Sequence, residues 1–132
     1  MRTFRELKVW QQAHDLTLTV YKAVVSFPPH EQYGLMSQMR RAAVSIAANI
    51  VEGHKRQGRR EFLNFLSVAE SSLEELKYHL LLAHDLQYLA PSAFGQLYQR
   101  AELVGKMLNR LRWHIKQEVR NGKVSRPVPT SA

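Results

Sequence analysis

Cysteine is absent from the 132 residues, which excludes a disulfide scaffold and every zinc site built on thiolates. Apolar runs are short: none approaches the 18 or more residues of a membrane span. The opening stretch from Met1 to Lys8 places charges where a secretory signal needs an apolar core, so a cytoplasmic chain without a membrane role is expected. Proline and glycine are sparse, five and six residues, and mark breaks between long periodic stretches. Acidic residues are outnumbered, 11 against 19 Lys and Arg, leaving a net charge of +8. That excess attracts anionic partners.

What is present is helical periodicity. Pro28-Pro29, Gly53 with Gly58, Pro91 and Asn121-Gly122 divide the chain into four segments. The first, about 4–27, has apolar or small residues at Trp10, Ala13, Thr17, Val20, Val24 and Phe27. The second, about 31–52, repeats the spacing at Met36, Met39, Ala43, Ile46 and Ile50. The third, about 59–89, carries Phe62, Leu66, Ala69, Leu73, Leu76, Leu80 and Ala83, and at about 1.5 Å per residue it is expected to be the longest element, roughly 45 Å. The fourth, about 92–118, has Leu97, Ala101, Val104, Leu108, Leu111 and Ile115. Steps of three and four residues describe one stripe on each helix, and nothing alternates as a strand does. Four striped helices joined by short turns bury their stripes only against one another, so the fold class is all-α, an antiparallel up-down four-helix bundle. One domain spans residues 1–118, followed by a basic tail, 119–132, expected to be disordered.

Two features exceed the needs of a lone bundle. The third segment has a second apolar set, Leu63, Phe65, Val68, Leu81, Leu82 and Leu86. The second is rich in small residues, Ala42, Ala43, Ser45, Ala47 and Ala48, which allow close helix approach. A tight monomer core and a subunit interface both account for them.

The ordered set Phe4-Arg5-Glu6-Leu7-Lys8-Val9-Trp10, Phe27-Pro28, Tyr33-Gly34-Leu35, Gln38, Arg40-Arg41-Ala42, Ser45, Asn49 and Glu52-Gly53, continued by Phe62, Leu66, Ala69 and Ser72 to Leu76, resembles the bacterial four-helix bundle proteins encoded in intervening sequences of 23S ribosomal RNA genes. That family is similar in turn to the accessory protein of diversity-generating retroelements. The resemblance covers about residues 4–118. It implies a homopentameric ring of bundles and, for the retroelement relatives, binding of nucleic acid and of a reverse transcriptase; it implies no catalysis.

Catalytic and metal-binding patterns are missing. A di-iron bundle needs Glu-x-x-His on two helices, and the residues three before each of the six histidines are Gln11, Phe27, Val51, Leu76, Leu81 and Leu111. His79 follows Glu75 by four, a spacing read as a structural contact. No Gly-x-Ser-x-Gly, Walker loop, GxGxxG or His-Glu-x-x-His occurs. No enzyme, no metal and no cofactor are expected.

A polar line, Gln38, Arg41, Ser45, Asn49 and Glu52, runs beside the stripe of the second segment. Glu74 and Glu75 are candidate carboxylates for Arg41, whose guanidinium suits bidentate pairing. The favoured role is structural or interfacial.

Charge is uneven. Residues 1–60 hold ten basic and four acidic side chains, 61–99 one and five, and 100–132 eight and two, so the third helix is the acidic element between two basic regions. The basic clusters are His54, Lys55, Arg56, Arg59 and Arg60 in the turn, and Lys106, Arg110, Arg112, Lys116, Arg120, Lys123 and Arg126 along the fourth helix into the tail, where Lys106, Arg110 and Lys116 form a ridge on one side. Lys55, Arg56, Arg59, Arg60, Lys106, Arg110, Lys116 and Arg120 are the candidate phosphate contacts. No aromatic platform or base-reading motif is evident, so binding is expected to be indifferent to sequence. The sequence thus points to a non-enzymatic homo-oligomer binding RNA or DNA, with an accessory role beside an enzyme such as a reverse transcriptase; the alternative is a protein-interaction scaffold with no nucleic-acid role.

Overall fold

A computed structural model describes residues 3–122. Four helices account for most of them: α1 Lys8–Val24, α2 Leu35–Lys55, α3 Arg59–Asp85 and α4 Pro91–Arg120. No strand occurs among the described residues. Each helix packs on its two neighbours in the ring α1, α2, α3, α4, with α4 closing on α1, while no Cα of α1 comes within 8 Å of α3, nor of α2 with α4. This is the antiparallel up-down bundle. Among the described residues, no helix is long and apolar enough to cross a membrane.

The stripes of α3 and α4 are buried at every position expected from spacing. In α1 the buried set is Val9, Ala13, Leu16, Val20 and Val24. Trp10 lies half-buried at the core margin, its ring meeting Phe4 at 4.9 Å and His14 at 5.0 Å. Thr17 is at the margin too, because its hydroxyl donates to the carbonyl of Ala13 at 2.8 Å and reaches that of Ala43 on α2 at 3.2 Å.

The helix boundaries shift for local reasons. Phe4–Glu6 forms a separate 3-10 turn, held by the Thr3 amide donating to Glu6 Oε1 at 3.0 Å. Pro29–Glu31 forms another, so α2 begins only at Leu35, whose N–H donates to Glu31 Oε1 at 3.0 Å. That carboxylate satisfies one of the amides a helix start leaves open. α4, at 30 residues, is longer than α3 at 27, which corrects the expected order. α3 stops at Asp85 because Gln87 takes a left-handed φ of 66°, while the Tyr88 amide returns to the Ala83 carbonyl at 2.8 Å and that of Gln87 to His84 at 2.9 Å. This is the Schellman closure of a helix C-terminus. α4 continues through 118 to Arg120; the remainder of the expected tail, 123–132, lies outside the described residues.

The α2/α3 contact is close at the turn that joins them. A Cβ on Gly53 would stand 2.7 Å from Phe62 Cδ1 and 2.9 Å from Phe65 Cβ, so only glycine permits this approach. Ala42 and Ala43 are buried within the bundle, whereas Ala48 is exposed; the small residues of α2 therefore divide between core and surface.

Candidate nucleic-acid interface

Antiparallel packing brings the two basic clusters together. α2 ends and α3 begins at the end of the bundle where α4 finishes, and a buried ion pair fixes the join: Arg59 Nε lies 3.1 Å from Glu118 Oε1. Arg59 is only 7% exposed. Its assignment as a phosphate contact is corrected on that ground, since the guanidinium is engaged with Glu118 inside the bundle. Its positive charge, after burial itself, also helps hold the neighbouring His54 imidazole below its usual pKa, against an opposing pull from Glu6.

Lys55, Arg56 and Arg60 are exposed around this join. Arg56 lies 4.0 Å from Glu52 and its guanidinium stands 5.0 Å from the centre of the Phe65 ring, which orients it along the turn. Lys106, Arg110, Lys116 and Arg120 are exposed on α4. Among the described residues, these four together with Lys55 and Arg60 form no ion pair within 4 Å. Arg112, one residue past the buried Leu111, turns instead to α3, donating to Glu70 Oε1 at 2.7 Å and to Ser67 at 3.4 Å. Trp113 stands in the middle of the α4 ridge, 58% exposed. It is spaced three residues from both Arg110 and Lys116.

The polar line of α2 has a different character. Ser45 and Ser72 hydroxyls meet at 2.8 Å across α2 and α3, and the Asn49 amide donates to the Ser45 carbonyl at 2.7 Å. Gln38, Arg41, Ala42, Ser45, Ser72 and Glu75 line an open groove of about 430 Å³. Arg41 is exposed and forms no ion pair among the described residues. The carboxylates expected for it go elsewhere: Glu74 to Lys77 at 3.4 Å and Glu75 toward His79 at 3.9 Å, because residues three and four apart on one helix meet before the next helix is reached. Glu52 faces Arg56. His79 is buried, its Nδ1 has no hydrogen-bond partner among the described residues, and burial lowers its pKa against the opposing pull of Glu75. No group of three or more His, Cys, Asp or Glu able to hold a metal occurs among the described residues.

At the opposite end, Glu31 joins the two remaining turns. Its Oε2 accepts from the Tyr88 hydroxyl at 2.9 Å while Oε1 accepts from Leu35. These two donors lower the Glu31 pKa, and the same bond raises that of Tyr88.

Comparison with known proteins agrees with this architecture. No curated protein matches the sequence significantly. A crystal structure of a protein of unknown function from the S23 ribosomal protein family of Bacteroides thetaiotaomicron superimposes with a TM-score of 0.69 at 24% identity, covering 76% of this chain and 94% of that one; the likeness is one of fold. The family profile described as 23S rRNA-intervening sequence protein matches residues 5–110. With that match spanning most of a chain folded as four helices, this protein belongs to the 23S rRNA-intervening sequence protein family.

Proposed function

We propose that this protein is a non-enzymatic, homo-oligomeric helical bundle of the cytoplasm that binds RNA or DNA through the basic end of the bundle and its α4 ridge. The observation that carries the reading is the gathering of Lys55, Arg56 and Arg60 with Lys116 and Arg120 at one end, exposed and almost uncompensated. Exposed cations without acidic partners create a field that draws in phosphates and releases their condensed counterions. Assembly into a homo-oligomer, a pentamer on the family resemblance, would repeat this field in every subunit. Val68 and Leu81 of α3, and Leu86 just beyond its end, are each between 45% and 49% exposed, and they offer apolar contacts for such assembly. An accessory role beside a reverse transcriptase or another nucleic-acid enzyme fits a binding surface of this kind.

The test is affinity against salt. Log affinity for a single strand should decline against log salt with a slope of about −0.7 per phosphate neutralised, and Lys55→Ala with Arg60→Ala should flatten that slope while weakening unrelated sequences alike. Light scattering after size exclusion should give about five subunits. A protein that binds neither RNA nor DNA at low salt is a protein-interaction scaffold instead.

A further inference from the structure

The α4 ridge contains a residue that phosphate attraction does not explain. Trp113 is exposed to 58% on the solvent side of α4, although an indole is among the side chains that gain most from burial. Lys106 and Arg120 lie seven residues to either side of it and Arg110 and Lys116 three to either side. Seven residues rise about 10.5 Å along the axis, so the four cations extend over roughly 21 Å of one face with the indole at its centre, and the one acid of this face is Glu102, four residues before Lys106 and free of ion pairs among the described residues.

The ring itself is open. Elsewhere in the bundle three aromatic rings each have a cation over them: Arg40 lies 5.9 Å from the centre of Tyr21, Arg56 5.0 Å from Phe65 and Lys77 5.8 Å from Tyr98. Among the described residues, the one ring contact of Trp113 is with His114, at 5.3 Å and close to perpendicular. The second tryptophan, Trp10, is half-buried and stacked on His14. Tyr78, also exposed, belongs to the acidic helix α3.

We propose that Trp113 is a stacking platform for an unpaired base, its flanking cations holding the phosphates on both sides, so that the α4 ridge takes single-stranded nucleic acid in preference to duplex. This inference rests on the nucleic-acid reading above and adds the substrate class. A base inside a duplex has both faces occupied by its neighbours; an unpaired base offers a π-face to an indole whatever its identity. Sequence indifference is retained, while strand state is discriminated.

The experiment compares a mixed-sequence single-stranded RNA oligonucleotide with the same strand annealed to its complement, by fluorescence anisotropy with wild-type protein, Trp113→Ala and Trp113→Phe. The expected result is preference for the single strand, a loss of about five- to a hundredfold in single-strand affinity on Trp113→Ala, little change on duplex, and substantial recovery with Trp113→Phe. Because no charge is removed, the salt slope should stay at its wild-type value. In a Trp10→Phe background, the single strand should quench the remaining indole emission. Equal wild-type affinity for strand and duplex, or an unchanged Trp113→Ala affinity, overturns the platform while leaving nucleic-acid binding intact. A Trp113→Ala protein of smaller oligomeric mass places the residue in a subunit contact and also overturns it. Failure of the wild type to bind any nucleic acid removes both readings.

Discussion

Arg59, three residues before Phe62 on the stripe of α3, meets Glu118, three residues beyond Ile115 on the stripe of α4, at 3.1 Å. Each extends an apolar seam by one step, so the two charges face each other inside the bundle. Removing one member of such a pair leaves the other buried and uncompensated. Arg59→Ala should therefore destabilise the fold by on the order of 3 kcal/mol in urea denaturation. Arg60→Ala, one residue on and exposed, should change stability by less than about 0.5 kcal/mol while reducing the salt dependence of RNA binding.

Two glycines should respond with opposite signs. Alanine is the better helix former by about 1 kcal/mol, and at Gly95 a Cβ meets nothing within 4 Å, so Gly95→Ala should raise the denaturation midpoint. At Gly53 the same methyl would collide with Phe62 and Phe65, and Gly53→Ala should lower stability by about 1 to 3 kcal/mol through overpacking.

Gln87 holds a left-handed backbone at the end of α3. A residue with a Cβ is disfavoured there by roughly 1 to 2 kcal/mol, and its side chain is exposed. Gln87→Gly should stabilise the protein by about 1 kcal/mol, read as a higher thermal midpoint with RNA binding unchanged.

Acid should weaken the fold in two windows. The His79 pKa is lowered by burial, so below the unfolded value of about 6.5 the unfolded chain takes up a proton that the folded chain refuses, and stability falls as pH drops through that range. The His54 pKa, lowered by burial and by Arg59, adds to the same window, so His79→Leu should reduce it and leave the His54 part. Glu31 has a folded pKa below its usual 4.5; its contribution is present above that value and is lost as pH falls toward the folded pKa. Tyr88→Phe removes one of the two donors responsible and should shrink the second window. Denaturant midpoints measured from pH 7 to pH 3 separate the two.

The bundle was legible because stripe spacing is a property of each helix alone: Leu97 to Ile115 and Phe62 to Ala83 repeat cleanly enough to show which face turns inward. α1 was less so, since Thr17 keeps a core-edge position by returning its hydroxyl to backbone carbonyls, a bond that spacing does not disclose. Among the basic residues, neighbours in sequence have different fates. Arg59 is buried and Arg60 exposed, Arg112 turns to Glu70 and Arg110 to solvent, because one residue is a rotation of about 100° around a helix. A cluster counted along the chain mixes both kinds. Within one subunit Arg41 takes neither carboxylate, because Glu74 meets Lys77 and Glu75 lies toward His79 on their own helix.

An even number of antiparallel helices returns the chain to the end from which it set out. The 3-10 turn at Phe4–Glu6 and the close of α4 at Arg120 therefore share the end of the molecule that holds the α2–α3 turn. A fluorophore or affinity handle attached within Phe4–Glu6 or beside Arg120 would crowd the exposed cations of that end. The Glu31–Tyr88 end, with Tyr33 90% exposed, is the place to attach a probe, and the length of the bundle then separates the reporter from the cationic end.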